Sequence, residues 1–126
     1  MPLCNHLILY GHAEVFKNTR HGGEIIRQLL TRLVGRVGMM AFSPPYIAVF
    51  APHTHPREQW GDTGIVAIVP LAESHISLHT FWETGAFNFD LFSCKPFDPE
   101  MVEDWLIVEY GMEITGQWSL KRNIGE

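Results

Sequence analysis

The sequence predicts a single α+β domain, a two-layer sandwich with a mostly antiparallel sheet and two helices on one face. The order of the elements leads to this prediction, because a strand, a helix, several strands, a second helix and a last strand follow one another along the chain. The length agrees, since 126 residues can bury one sizeable core but hardly two. We therefore expect residues 1–126 to form one domain.

The first two elements differ in the period of their apolar residues. Residues 5–11 form a short apolar stretch that is typical of a strand. In GGEIIRQLLTRLVGRVG, apolar side chains recur every three or four residues and polar ones take the other face, which predicts a helix that ends at Gly38. Its apolar face comprises Ile25, Ile26, Leu29, Leu30, Leu33 and Val37.

The middle of the chain contains four more apolar stretches. They cover residues 46–51, 65–72, 74–81 and 87–93, and each has the length and composition of a strand. Between the first two lies PHTHPREQWGDTG, which is a loop by its content of proline, glycine and aspartate. This succession of strands favours an antiparallel sheet.

The second helix carries its own start and stop signals. Asp98 is suited to the N-cap, Pro99 to the first turn and Gly111 to the end of the helix. Its expected core face comprises Met101, Val102, Trp105 and Leu106. In EITGQWSLK, apolar and polar residues alternate, which predicts a last strand with one wet face and a second, apolar face formed by Ile114, Trp118 and Leu120.

Composition narrows the class of function. There are 9 basic and 14 acidic residues, and the basic ones form no dense run, so we do not expect nucleic acid to be a partner. No stretch has the roughly 20 apolar residues of a membrane span, and no leader is recognisable, so we expect a soluble cytoplasmic protein. In that compartment the two cysteines, Cys4 and Cys94, are expected to be free thiols.

The stretch AESHISLHT places several polar residues on one strand. Side chains alternate along a strand, so Glu73, His75 and His79 share a face while Ser74 belongs to the other. This pattern admits three interpretations: a solvated strand face, a metal site of imidazoles and a carboxylate, or self-processing in which the serine hydroxyl attacks the preceding carbonyl.

The longer span ESHISLHTFWETGAFNFDLFSC favours the third interpretation. It closely resembles the signature of bacterial and archaeal S-adenosylmethionine decarboxylases, in which Glu-Ser-His-x-x-x-His-Thr is followed by a glutamate, a glycine and an Asp-Leu/Val-Phe-x-Cys stretch. The matching positions here are Glu73, Ser74, His75, His79, Thr80, Glu83, Gly85 and residues 90–94. So many agreements in a fixed register are far more specific than a lone short motif.

The resemblance implies that the chain processes itself. Ser74 would attack the carbonyl of Glu73, the amide would become an ester, and elimination would cut the chain between these two residues. A covalent pyruvoyl group would then replace Ser74 and form an imine (Schiff base) with the substrate amine, acting as the electron sink for loss of CO2. His79 would move a proton during processing, and Cys94 would be the acid that reprotonates the substrate carbon.

The resemblance also implies how the substrate is bound. S-adenosylmethionine would be the substrate, Glu83 would hold its ribose hydroxyls, and Phe42 is the first candidate for the ring that stacks on adenine, with Tyr46 and Phe50 behind it. No metal is implied. The family works in polyamine (spermidine) synthesis and generally as a homodimer of processed protomers.

Three departures from the family pattern affect these expectations. The family has an aromatic residue and a proline before the glutamate, whereas this chain has Phe81 and Trp82. A serine in a glycine-rich turn upstream is replaced by Thr63. Lys95 follows the cysteine in place of glycine, and a cation beside the thiol favours the thiolate.

Three alternatives remain open. The same pyruvoyl chemistry serves relatives that decarboxylate ornithine or arginine. The departures at Thr63 and Lys95 would also suit a relative that is not processed and is inactive. A third alternative is a cupin-like metal site, which His53, His55 and Glu58 would form in the long loop.

Overall fold

The computed structural model describes residues 3–19, 23–50 and 64–123, which form one six-stranded sheet with two α-helices. The strands are β1 (Leu3–His12), β2 (Tyr46–Phe50), β3 (Gly64–Pro70), β4 (Ser74–Phe81), β5 (Ala86–Ser93) and β6 (Glu113–Asn123). The helices are α1 (Glu24–Arg36) and α2 (Pro99–Tyr110), and a short 3-10 helix covers Glu14–Asn18. The strand order is β2-β3-β4-β5-β1-β6, and every paired neighbour is antiparallel. The predicted fold class is confirmed.

Both helices form where the sequence predicts them. α1 buries one face, to which Ile26, Leu29, Leu30, Leu33 and Val34 belong. At the start of α2 the Asp98 side chain accepts a hydrogen bond from the backbone N–H of Glu100 at 3.0 Å, and Gly111 ends the helix with a φ of 64°. α2 buries Val102, Leu106 and Tyr110 against the same core.

The two helices cover the same face of the sheet. Alternate residues of the strands face them and are fully or almost fully buried; they include Leu7, Leu9, Ile65, Ala67, Val69, Ile76, Leu78, Phe87, Phe89 and Leu91. We call the opposite surface the open face; it carries His6, Tyr10, His75, His79, Asp90, Phe92, Trp118, Leu120 and Arg122. No helix in the described residues packs on the open face, and exposed apolar side chains remain there.

The last strand differs from its prediction. Its apolar residues Trp118 and Leu120 were expected to form the buried face of β6, but they are 50% and 47% exposed. They lie opposite Ile8 and His6 of β1 on the open face, away from both helices. The prediction of one apolar face was wrong because the β1–β6 register shifts between Tyr10 and Gly11, so Ile114 packs against the core while Trp118 and Leu120 lie on the other face.

The turn between β4 and β5 depends on a glycine. Gly85 has a φ of 78°, a conformation that other residues rarely adopt. Its N–H donates to the carbonyl of Phe81 and its own carbonyl accepts from Ala13, both at 2.8 Å. A Cβ at this position would lie 2.6 Å from the carbonyl oxygen of Ala13. This packing fixes the turn that carries Glu83.

Candidate active site

Ser74 begins β4 directly after the short loop of residues 71–73. The Ser74 carbonyl accepts a hydrogen bond from the N–H of Leu71 at 2.8 Å, which closes the loop. The Ser74 hydroxyl lies 3.2 Å from Nδ1 of His75, so an imidazole is within hydrogen-bonding distance of the predicted nucleophile.

Glu73 is held at both its carbonyl and its carboxylate. Its carbonyl oxygen accepts a hydrogen bond from the backbone N–H of Cys94 at 3.1 Å, and its carboxylate accepts one from the N–H of Met40 at 3.3 Å. Attack on this carbonyl would place negative charge on the same oxygen. The N–H of Cys94 therefore occupies the position of an oxyanion-hole donor.

A segment after α1, residues 38–42, holds the loop from the other side. The N–H of Ala72 donates to the carbonyl of Met40 at 2.8 Å, and the N–H of Phe42 donates to the carbonyl of Pro70 at 3.0 Å. These bonds place Phe42 beside the loop, with its side chain 72% exposed and accessible to a ligand. Phe42 therefore lies at the same end of the sheet as Ser74.

The turn that carries Cys94 has its own supports. The Ser93 hydroxyl is buried, donates to the carbonyl of Lys95 at 3.0 Å and accepts from the N–H of Lys95 at 2.9 Å. The Lys95 ammonium donates to the carbonyl of Gly38, at the end of α1. Lys95 thus links the turn to segment 38–42, a contact that the sequence did not indicate.

The expectation of two free thiols was wrong, because Cys4 and Cys94 form a disulfide. Asn5 pairs with Ser93 in the β1–β5 ladder, so the next residues outward, Cys4 and Cys94, face each other. Cys4 is only 1% exposed, whereas Cys94 is exposed. A pairing over 90 residues of sequence is set by strand register and could not be derived from the sequence.

His79 and Glu83 lie away from Ser74. His79 is five residues further along β4, about 16 Å at the usual strand rise, and its ring centroid is 4.3 Å from that of Phe81. Glu83 is further still, exposed in the turn between β4 and β5. The structure therefore brings Glu73, Ser74 and Cys94 together, but not His79 or Glu83.

A polar and aromatic cluster on the open face was not predicted. Nε2 of His6 lies 2.9 Å from a carboxylate oxygen of Asp90. The ring of Phe92 lies 5.7 Å from His6 and 5.8 Å from His75, and the Arg122 guanidinium is 4.5 Å from the Phe92 ring centroid. Asp90 and Phe92 belong to the motif, but pairing of β5 with β1 and of β1 with β6 was needed to identify their neighbours.

Some predicted residues lie outside the described residues. They include Thr63 and the three candidate cupin-like ligands, His53, His55 and Glu58. Among residues 3–19, 23–50 and 64–123, no three His, Cys, Asp or Glu side chains are grouped so that they could hold a metal ion. In the same ranges no helix is long and apolar enough to cross a membrane.

Comparison with known proteins tests the family assignment. A family model described as S-adenosylmethionine decarboxylase matches residues 12–123. The chain belongs to this family. The cupin-like alternative is thereby removed.

Individual relatives agree with the family assignment. The chain is 31% identical over 102 residues to an S-adenosylmethionine decarboxylase proenzyme of Thermococcus onnurineus, covering 80% of this chain and 64% of the relative. It is 32% identical over 92 residues to the proenzyme of Pyrococcus furiosus, covering 72% and 59%. The chain thus spans less than two thirds of the length of these curated relatives.

A solved structure extends the similarity to the whole fold. The crystal structure of the adenosylmethionine decarboxylase from Aquifex aeolicus matches with a TM-score of 0.69 and 27% identity, over 98% of this chain and 92% of that one. The open sheet with helices on one side is therefore the fold of this family.

Proposed function

We propose that this member of the S-adenosylmethionine decarboxylase family is a pyruvoyl-dependent decarboxylase of S-adenosylmethionine, acting in polyamine (spermidine) synthesis. It would become active by self-cleavage between Glu73 and Ser74. One observation supports this above all: the carbonyl before Ser74 accepts a hydrogen bond from the backbone N–H of Cys94, while the Ser74 hydroxyl lies beside an imidazole.

Processing follows from these contacts. The Ser74 hydroxyl attacks the Glu73 carbonyl carbon, its proton passes to Nδ1 of His75, and the charge on the carbonyl oxygen is stabilised by the N–H of Cys94. The C–N bond then breaks and an ester remains. Loss of the Cα proton of residue 74 then expels the Glu73 carboxylate. Water hydrolyses the resulting C=N bond, so the nitrogen of residue 74 leaves as ammonia and a pyruvoyl group remains.

The pyruvoyl group supplies a ketone that condenses with the substrate amine and accepts the electrons released as CO2 leaves. The chain provides the remaining functions. Phe42 lies beside the cleavage loop with an exposed ring that can stack on adenine. Cys94, next to the cleaved bond, donates the proton to the substrate carbon once its sulfur is a thiol.

The active enzyme is a homodimer with shared sites. Glu83 and His79 lie towards the other end of β4 from Ser74 of the same chain, yet His79 lies on the open face, where apolar side chains such as Trp118 and Leu120 are exposed. Two open faces packed about a two-fold axis bury these side chains and bring the β4–β5 turn of one copy to Ser74 of the other. Glu83 of one copy then binds the ribose at the pyruvoyl group of its partner.

The first experiment is a denaturing gel of the purified protein under reducing conditions, with mass spectrometry of the bands. We expect two pieces, residues 1–73 and 74–126. Ser74→Ala should give one intact band, while the matched control Ser77→Ala, on the same strand, should still be cleaved. Intact protein that releases CO2 from S-adenosylmethionine would contradict the proposal, and intact protein without turnover would indicate the inactive relative.

The substrate is tested by CO2 release from S-adenosylmethionine, ornithine and arginine. We expect turnover of S-adenosylmethionine only, because Glu83 and an adenine-stacking ring have no partner group on the two smaller amino acids. Turnover of ornithine or arginine without turnover of S-adenosylmethionine would retain the pyruvoyl chemistry and reject the substrate.

The shared site is tested by mixing two defective variants, Ser74→Ala and Glu83→Gln, through co-expression. Random pairing makes half of the dimers mixed, and each mixed dimer has one site with both residues intact, so about a quarter of wild-type activity is expected at substrate well below KM, where Glu83→Gln alone is nearly inactive. Activity no higher than the average of the separate variants would place Ser74 and Glu83 of each site in the same chain.

A further inference from the structure

We infer that the Cys4–Cys94 disulfide is a reversible redox site that switches the proton donor of the enzyme off when oxidised and on when reduced. The inference rests on the proposed function, in which Cys94 reprotonates the substrate carbon. It adds a control of that step by the redox state of the chain.

The two sulfurs differ in their access to solvent. Cys4 is 1% exposed near the start of β1, which lies between β5 and β6, whereas Cys94 is exposed just beyond the end of β5. A thiolate from outside therefore reaches the sulfur of Cys94 first. A small dithiol can approach by the route that a nucleoside substrate needs to reach residue 74.

The reduction step is a thiol–disulfide exchange. A thiolate of the dithiol attacks Sγ of Cys94, the S–S bond breaks, and Cys4 leaves as a thiolate that takes up a proton. The second thiol of the reductant then attacks the reductant's first sulfur, which is bonded to Cys94 in the mixed disulfide. This releases Cys94 as a thiol. The protein gains two electrons and two protons, and the dithiol becomes a cyclic disulfide.

Oxidation removes the function of Cys94 in turnover. A sulfur in a disulfide has no proton to donate, so the substrate carbon cannot be reprotonated from this side chain. Self-cleavage uses the backbone of residue 94 and not its side chain. The group that contacts the Glu73 carbonyl is the backbone N–H, at 3.1 Å in the disulfide-bonded state, and it needs no thiol. Oxidised protein should therefore be processed but inactive.

Processing gives the disulfide a signature of its own. Cleavage leaves Cys4 in the piece of residues 1–73 and Cys94 in the piece of residues 74–126. The disulfide then joins the two pieces covalently. Oxidised, processed protein should run as one band without reductant and as two bands with it, whereas reduced protein blocked with a thiol reagent should run as two bands in both lanes.

The experiment compares wild-type protein with Cys4→Ala, which keeps a small apolar side chain at the buried position and removes the partner of Cys94. Each is divided into a sample treated with oxidised glutathione and a sample treated with dithiothreitol, both freed of reagent. Intact mass, the two gel lanes and CO2 release from S-adenosylmethionine are then measured. Cys4→Ser serves as a second variant in case the first folds poorly.

For the wild type we expect the joined band after oxidation and a loss of CO2 release on the order of 100-fold, restored by dithiothreitol. Cys4→Ala oxidised under the same conditions forms no joined band. After a final dithiothreitol step, which also removes glutathione from Cys94, it should match reduced wild type. A mass increase of one glutathione on oxidised Cys4→Ala would show that Cys94 is the accessible sulfur.

Three results would overturn the inference. They are undiminished CO2 release by wild-type protein that carries the disulfide, failure of Cys4 and Cys94 to pair under oxidation, and an unrestored loss of activity after the disulfide is reduced. Absence of CO2 release in every sample, reduced Cys4→Ala included, would instead overturn the proposed function, and the inference would fall with it.

Discussion

The two ends of β4 carry different parts of the predicted machinery. At the first end, Glu73 and Ser74 are surrounded by hydrogen bonds from segment 38–42 and from the turn at Cys94. At the second end, Glu83 lies in an exposed turn whose conformation depends on Gly85. The first end has hydrogen-bond donors on the carbonyl and carboxylate of Glu73, whereas the second presents a carboxylate to solvent.

This difference indicates that the two ends of β4 serve different steps, processing at the first and substrate binding at the second. A strand of eight residues is too long for one small substrate to contact both ends in the same chain. Changes at the first end should therefore alter processing, and changes at the second should alter substrate binding or the stability of the turn. The following variants test that separation.

The largest effect is expected for Gly85→Ala. The φ of 78° and the 2.6 Å approach to the Ala13 carbonyl both oppose a side chain, so the free energy of unfolding should fall by about 2 kcal/mol. Urea denaturation measures it. The control is Gly35→Ala in α1, where a Cβ would meet nothing within 4 Å and the helix should gain about 0.5 kcal/mol. Equal losses in both would contradict the special role of the turn.

Glu83→Gln should separate binding from processing. Loss of a charged acceptor for the ribose hydroxyls costs about 2 kcal/mol, so KM for S-adenosylmethionine should rise about 30-fold. The gel should still show full cleavage. Glu113→Gln, which removes an exposed carboxylate at the start of β6, should change neither. A cleavage defect in Glu83→Gln would show that the second end also takes part in processing.

Lys95→Met should act at the first end only. The Lys95 ammonium links the Cys94 turn to segment 38–42, so its loss should loosen the donors around Glu73 and slow self-cleavage about threefold, or about 0.6 kcal/mol. The time course of cleavage after synthesis measures this, and Lys95→Arg should restore the rate. The control is Lys17→Met, which removes an exposed ion pair with Glu14. Equal slowing in both lysine variants would remove the positioning role.

The smallest effect is expected far from both ends, at Glu103 of α2. Burial, then repulsion from Asp104 and Glu100, raises the pKa of the Glu103 carboxyl above its ordinary value of 4.5. The folded protein therefore holds this proton more tightly than the unfolded chain, and stability falls as the pH rises through the interval between the two pKa values.

Glu103→Gln removes this charge. The free energy of unfolding should rise by about 0.3 kcal/mol at neutral pH, and the gain should vanish below the ordinary pKa, where both states are protonated. Urea denaturation at the two pH values measures it. Glu24→Gln is the control, because Glu24 lies 3.7 Å from Arg27 and should give no gain. A gain that does not depend on pH would have another cause.

Local signals were enough to predict most elements. The spacing of apolar residues defined α1, and Asp98 and Gly111 defined the ends of α2. The alternation in AESHISLHT correctly put His75 on the face opposite Ile76 and Leu78. Each of these signals depends on neighbours within one turn or one strand.

Features that depend on strand order were not predicted. The contact of Cys94 with Glu73 needs the β4–β5 register, and the disulfide needs β1 to pair with β5. The exposure of Trp118 depends on which face the helices cover. The motif identified the residues of the predicted cleavage site, but only the sheet showed that His79 and Glu83 lie far from them.

The strand order also determines what the proposed cleavage would do to the fold. The piece of residues 1–73 contributes β1, β2 and β3, and the other piece contributes β4, β5 and β6, so in the order β2-β3-β4-β5-β1-β6 they are interleaved. Three ladders, β3–β4, β1–β5 and β1–β6, cross between the pieces. After the proposed cleavage these ladders would hold the two pieces together, and the new chain end at residue 74 would stay anchored in a central strand instead of fraying into solvent.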